Sequence, residues 1–324
     1  MTDSIAAGRP AATAHGHSRL RAYARLGKLD VYDYYLGIFL ALTAALFPAD
    51  AFTARQALVL ALFLVGEVAV LMGMVALDDV TGFRDGSDLA NYGPDNPLRS
   101  KARKPLVAGA LTVPQALRFA WACAAAGAML WAGAAALAPH HPLWALVTAG
   151  ALFTVSLQYS YGLKISYHGF QEAFLVALGA VLVIVPYGLV TGGFSGFLMV
   201  QAVLFGFGPL MFGVYSNTND VAGDRAVGRP TVAALVSERG NAVFIAALSV
   251  AEFLIGAVAS ATGVAPWWFV LLMVPATVLR ARQYLTGFVR GDIMTARRTG
   301  FAVHRLSVVL MTVANIVVGT GAAR

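Results

Sequence analysis

The run ALVLALFLVGEVAVLMGMVAL at 57–77 passes without a break into DDVTGFRDGSDLANYGPDNPLRSKARKPLVAG at 78–109. A helix rising about 1.5 Å per residue needs roughly 20 residues to cross a hydrocarbon layer of about 30 Å, and the first run is of that length. It lacks the alternation of a barrel strand. The second stretch is opposite in character. Four carboxylates, Asp78, Asp79, Asp85 and Asp88, fall within its first eleven residues, and four cations, Arg99, Lys101, Arg103 and Lys104, follow. Only 12% of the chain is charged, so the junction reads as a membrane helix that ends in a chemical site.

The rest of the chain agrees with a lipid solvent. With 59% hydrophobic residues and a mean hydropathy of +0.72, a chain of 324 residues has too little polar surface to clothe a soluble globule. Apolar runs lie near 31–49, 57–77, 115–138, 142–160, 170–191, 195–216, 242–262, 265–285 and 302–322. The expected fold is therefore an all-α integral membrane bundle of about nine transmembrane helices. Residues 1–28 are polar and basic and are expected to form a disordered tail, not a cleaved leader. The single cysteine, Cys123, excludes an intramolecular disulfide and a cysteine-based zinc site. The net charge of +7 does not call for nucleic acid, because the cations stand at the ends of apolar runs, where the positive-inside rule accounts for them. By that rule the tail and both charged segments face the cytoplasm of a cell that holds the protein in its inner membrane. The opposite turns, such as PHHP at 139–142 and TGGFSG at 191–196, are short.

A second acidic segment, NTNDVAGDRAVGRPT at 217–231, places Asn217, Asp220 and Asp224 at helical spacing on one face. Two carboxylates and an amide oxygen at that spacing suit Mg²⁺ bridging to a phosphate. A solvated helix end with incidental acids is the plainer reading. Against it, the chain has only 16 acids, and Asp78, Asp79, Asp85, Asp88, Asp220 and Asp224 are six of them. In the first segment, Asp78, Asp85 and Asp88 would lie near one face of a helix continued from 57–77, although Gly82 and Gly86 argue against an unbroken helix.

Together the segments resemble the UbiA superfamily of intramembrane prenyltransferases. Asn217, Asp220, Asp224, Gly228, Arg229 and Thr231 stand where its menaquinone-type branch has N-x-x-D-x-x-x-D-x-x-x-G-[KR]-x-T. The first segment resembles N-D-x-x-D-x-x-x-G-x-D, with Asp79, Gly86 and Asp88 in place, Asp78 where Asn is usual and Gly82 where Asp is usual. Asp85 is the candidate to stand in for the missing carboxylate. RKPLVAG at 103–109 is similar to R-P-L-x-x-G, with Lys104 inserted before the proline. QYSYGLKISYHGFQE at 158–172 resembles a loop in which Tyr159, Lys164 and Gly169 match and the double proline does not. A topology-setting charge at Lys164 and an interfacial aromatic at Tyr159 are the plainer readings there.

The resemblance implies a UbiA-like transmembrane prenyltransferase domain over 29–324, with nine helices around a central cavity under a cytoplasmic cap. It implies Mg²⁺, as two ions, held by Asp78, Asp79, Asp85, Asp88, Asn217, Asp220 and Asp224. Diphosphate contacts would come from Arg103, Lys104, Tyr159, Lys164, Arg229 and Asn217, and Asp79, Asp88, Asp220, Asp224 and Lys164 would carry the chemistry. That chemistry is ionisation of a polyprenyl diphosphate, followed by prenyl transfer to a lipophilic, aromatic acceptor. The alternative in the same superfamily is a terpene cyclase, in which the chain's own alkene attacks the cation. Metal ions and basic donors stabilise the departing diphosphate, and aromatic faces shelter the cation. Two acids lie deeper, Glu67 in the second run and Glu252 in the seventh, each a base or a protonated hydrogen-bonding partner. His304 and Asn315 are expected to bond between helices. Gly206 and Gly208, before Pro209, either loosen their helix or permit close packing.

Overall fold

A computed structural model describes residues 19–29, 32–47, 52–92 and 100–322. The described residues are helical, without strands. Among the described residues, six helices are long and apolar enough to cross a membrane: α3 (Ala54–Arg84), α5 (Val113–Leu137), α7 (Gln171–Thr191), α8 (Gly196–Ala226), α10 (Glu238–Ala261) and α13 (Ile293–Thr320). The first and fourth apolar runs hold shorter helices, α2 (Gly37–Leu46) and α6 (Leu143–Gln158). The eighth run is not one helix. It breaks between α11 (Phe269–Leu272) and α12 (Val274–Tyr284), where Pro275 sits in the first turn and restarts the ladder, and it ends in a π turn over Leu285–Val289. The expected count of about nine spans is thus six long spans plus shorter and interrupted pieces among the described residues.

Most of the proposed tail, residues 1–18, lies outside the described residues. Its end departs from the disorder expected for 1–28: Arg19–Leu26 forms α1, whose Leu26 is fully buried with Ala76, Leu77 and Val80 of α3.

Small residues set the interhelical distances. A Cβ on Gly73 of α3 would lie 3.0 Å from the backbone oxygen of Ala120 on α5, and one on Gly127 of α5 would lie 3.1 Å from the Gly66 oxygen. Gly206 approaches α7 so closely that a Cβ would stand 2.3 Å from the Val176 oxygen. The glycines before Pro209 therefore serve close packing. Polar groups inside the bundle are bonded across helices. Gln201 donates to Asn315 (2.9 Å), whose own amide donates to Thr43 and to the Leu40 carbonyl. His304 Nε2 lies 3.0 Å from the Asp33 carbonyl. Arg280, a topology-setting cation by sequence, instead lies inside the bundle, 2% exposed, in a two-pronged pair with Glu252 (2.6 and 2.9 Å). Its fork satisfies both carboxylate oxygens, so Glu252 is a structural ion-pair partner.

Capping fixes where these helices begin. Thr53 and Gln56 form a reciprocal capping box at the start of α3, and Thr112 and Gln115 do the same for α5. At their other ends, α3 and α8 both continue as helix past their apolar stretches, which brings the two acidic segments to one end of the bundle.

Candidate active site

A cavity of about 680 Å³ opens between the ends of α3 and α8. Asp78, Asp88, Asn217, Asp220 and Asp224 line it, with Arg103, Lys104, Arg229 and Tyr159. The deeper wall is apolar and aromatic, with Tyr34, Tyr35, Leu71, Met74 and Phe212.

On α8, the helix runs unbroken through Ala226, so Asn217, Asp220 and Asp224 keep their helical register. Asn217 Oδ1 accepts from Gln171 Nε2 at 3.1 Å, and Asp224 Oδ2 accepts from Thr231 Oγ1 at 3.1 Å. Past the helix, Gly228 adopts φ +67°, a conformation that a side chain would strain, and the Arg229 N–H returns to the Asp224 carbonyl at 2.8 Å. This turn aims Arg229 at the opposite wall. Its Nη2 donates to Asp78 Oδ1 (3.3 Å), Ser160 Oγ (3.2 Å) and Ser166 Oγ (3.1 Å), and the guanidinium lies 5.1 Å from the Tyr167 ring centre. Surrounding carboxylate and phenol groups, Asp78 foremost, outweigh burial and hold its pKa above the ordinary arginine value.

The first segment folds differently from the helix its spacing suggests. α3 ends at Arg84, Gly86 turns the chain at φ +86°, and a short α4 (Ser87–Asn91) follows. Asp85 therefore caps the helix and faces away from the cavity: its oxygens accept from the Ser87 N–H (3.0 Å), Ser87 Oγ (2.8 Å) and the Tyr167 hydroxyl. It is not among the residues that line the cavity. Asp88 folds back over Gly82, where a Cβ would lie 2.9 Å from its carboxylate. Asp79 is 1% exposed. Lys104 Nζ bridges it to Asp88, donating to Asp79 Oδ1 at 2.7 Å and Asp88 Oδ2 at 2.8 Å. Burial pushes the Asp88 carboxyl up to about 6 against the pull of Lys104. Burial opposes the Lys104 charge too, but Asp79 and Asp88 outweigh it and raise its pKa.

Lys164 is not brought to the cavity wall. It adopts φ +52° on the exposed α6–α7 connection, and its ammonium packs 5.1 Å from the Tyr167 ring centre. Tyr159 does face the cavity, stacked on Phe174 at 4.6 Å. The structure adds wall residues that the sequence reading passed over, Gln171, Arg297 and Arg298. The two arginines stand just before the last apolar run, where the positive-inside rule alone accounts for a cation, and that position is the signal the sequence offers.

Glu67 continues the α3 stripe that lines the cavity, one turn below Leu71. It is 0% exposed, and neither carboxylate oxygen has a hydrogen-bond partner among the described residues. An isosteric apolar replacement removes that uncompensated burial. Glu67→Met is therefore expected to raise the thermal unfolding midpoint, by about 1–3 kcal/mol of stability. If the carboxylate also serves as a base in the cavity, the same variant loses product formation by about 10²-fold. A gain in stability with unchanged turnover assigns Glu67 to packing alone.

The fit to Mg²⁺ divides between the two segments. Asn217, Asp220 and Asp224 form an oxygen-only set that suits a hard cation. Asp79 and Asp88 are already joined by an ammonium. No group of three or more acidic, histidine or cysteine side chains among the described residues is arranged to hold a metal.

Helices that carry carboxylates and guanidinium groups to a cavity with an apolar floor define an all-helical membrane protein with a charged site at one end of its bundle. The chain belongs to the UbiA prenyltransferase family, whose profile matches residues 34–292. Its fold is similar to that of a UbiA homologue from Archaeoglobus fulgidus bound to DMAPP and Mg²⁺, with a TM-score of 0.60 at 14% identity over 90% of this chain and 99% of that one. It is also similar to the apo form of a UbiA homologue from Aeropyrum pernix K1 (TM-score 0.58, 18% identity, 89% and 98% covered). A third likeness is to a structure of digeranylgeranylglyceryl phosphate synthase (TM-score 0.57, 14% identity, 92% and 99% covered). At these identities the likeness speaks for the fold. No curated protein sequence matches the chain.

Proposed function

We propose that the protein ionises a polyprenyl diphosphate in the membrane and transfers the prenyl group to a lipophilic, aromatic acceptor. The observation that carries this reading is the division of one cavity into a charged mouth and an apolar, aromatic floor. A volume of about 680 Å³ is in the range of small-molecule sites. The similar A. fulgidus homologue was solved with DMAPP, a short prenyl diphosphate, and with GPP. The diphosphate is assigned to the mouth, where Arg229, Arg103 and Lys104 meet it as donors. Bound at Asn217, Asp220 and Asp224, Mg²⁺ would neutralise charge on the departing diphosphate. The prenyl chain follows the floor past Tyr34, Tyr35 and Phe212, whose rings face a developing allylic cation without trapping it. The positive-inside rule places the mouth on the cytoplasmic side of the inner membrane. Lipid and the acceptor approach from the bilayer.

Purified protein in lipid nanodiscs, supplied with Mg²⁺ and geranyl or longer prenyl diphosphates, tests the reading through diphosphate release and product analysis. Release that depends on an added phenolic or quinone-like acceptor, with a prenylated product, is the expected result. A cyclised hydrocarbon or alcohol formed without any acceptor overturns the transferase in favour of a cyclase. No release under either condition overturns both.

A further inference from the structure

We infer that Lys104 is a built-in cation that takes the place of a metal ion in the first acidic segment, so that the protein works with a single divalent ion, held on the α8 side. The inference rests on the diphosphate reading of the cavity. Three observations carry it. The Lys104 ammonium lies 2.7 Å from an Asp79 oxygen and 2.8 Å from an Asp88 oxygen, and the side chain is only 10% exposed. That is a bridge between two carboxylates from α3 and α4, the position a divalent ion would need in order to use both.

The second observation is steric. A side chain at position 82 would collide with the Asp88 carboxylate, whose nearest atoms lie 2.9 Å from a Cβ built there. This segment thus lacks a carboxylate at 82, and the carboxylate that covers the gap is committed to the lysine. The third is charge. Lys28 Nζ lies 3.5 Å from Asp79 and 3.9 Å from Asp78, and Arg229 lies 3.3 Å from Asp78. Asp78, Asp79 and Asp88 are matched by Lys28, Lys104 and Arg229, three against three. A divalent ion added here would meet a neutral cluster with an ammonium fixed inside it, and would have to displace that ammonium to gain ligands.

The backbone holds Lys104 in this position. Its N–H donates to the Lys101 carbonyl at 3.0 Å, its carbonyl accepts from the Ala108 N–H at 2.9 Å, and Pro105 fixes the chain that follows. Its ammonium also faces the Tyr92 ring at 5.6 Å. A lysine so placed supplies a permanent charge at the cavity mouth whatever the metal concentration. On α8, by contrast, Asn217, Asp220 and Asp224 offer two carboxylates and an amide oxygen on consecutive turns facing the cavity.

Counting bound Mn²⁺ by electron paramagnetic resonance tests this, using the full chain in nanodiscs with geranyl S-thiolodiphosphate as an unreactive head-and-tail probe. The expected result is a single Mn²⁺ per chain without the spectral signature of a coupled pair, and a rise to about two, with coupling, in Lys104→Met. A coupled pair in the unaltered protein overturns the inference while leaving the diphosphate reading in place. A folded Lys104→Met protein that still binds a single Mn²⁺ also overturns it. Should that variant fail to fold, the count in the unaltered protein decides. Failure of the unaltered protein to bind the probe and Mn²⁺ at all overturns the diphosphate reading, and this inference with it.

Discussion

Asp220→Ala is expected to reduce Mg²⁺-dependent diphosphate release by about 10⁴-fold while the protein still folds. Asp224→Ala should lose a similar factor. Asn217, Asp220 and Asp224 are the oxygen donors of the α8 set, and all three face the cavity. Removing one carboxylate from a site of two strips the developing charge on the leaving group of its main stabilisation, and about 10⁴-fold corresponds to about 5.5 kcal/mol of barrier. Folding tells the two variants apart. Carboxylates at i and i+4 repel by a few tenths of a kcal/mol, so the loss of Asp220 relieves a strain. Asp224 also accepts from Thr231, the N-cap of the short helix Val232–Leu235, so its loss releases that turn and lowers the unfolding midpoint modestly. Release and thermal unfolding measured on the same preparations check both. Diphosphate release within tenfold of the unaltered protein in Asp220→Ala would remove the α8 set from the chemistry.

The α8 segment was legible in the sequence because it depends on a single local fact. A helix that continues keeps residues three, four and seven apart on one face, and nothing in 217–226 interrupts α8. The stretch at 78–109 was legible as a site and not as an arrangement. One left-handed residue, Gly86, ends α3 and turns Asp85 outward, so helical spacing could not place Asp85. Lys104 then returns to Asp79 from 25 residues along the chain, a contact that depends on how the loop closes. The same limit applies to Arg280, whose partner Glu252 is 28 residues away on another helix. It applies also to Asp33, which pairs with Arg305 on the last helix and drew no attention in the sequence. What the sequence could say of His304 and Asn315 was a matter of necessity. A polar group inside a bundle is costly without a partner, and both of these find one.

Arg229→Lys is expected to lower turnover by about 10³-fold, although it keeps the charge. One guanidinium nitrogen donates to Asp78, Ser160 and Ser166 at 3.1–3.3 Å, while the planar group faces the Tyr167 ring. Arg229 therefore joins the end of α3, the α6–α7 connection and the turn after α8. An ammonium on a flexible stem reproduces the charge but neither the planar fork nor the ring contact. Gly228 and Pro230 fix the backbone on either side, so the shorter reach of lysine cannot be recovered by a shift of the chain. Part of the loss is the missing donor to the diphosphate, for which removal of one well-placed group typically costs 10²–10³-fold. The remainder comes from Asp78, left without its guanidinium partner, and from Ser160 and Ser166, left with each other at 3.0 Å. That second part has its own signature, faster amide hydrogen exchange across 159–169 in the absence of any ligand. A substitution that acted on diphosphate alone would leave that exchange unchanged. Turnover within threefold of the unaltered protein would show that charge alone suffices at this position, and would separate Arg229 from the geometry that the cavity mouth imposes.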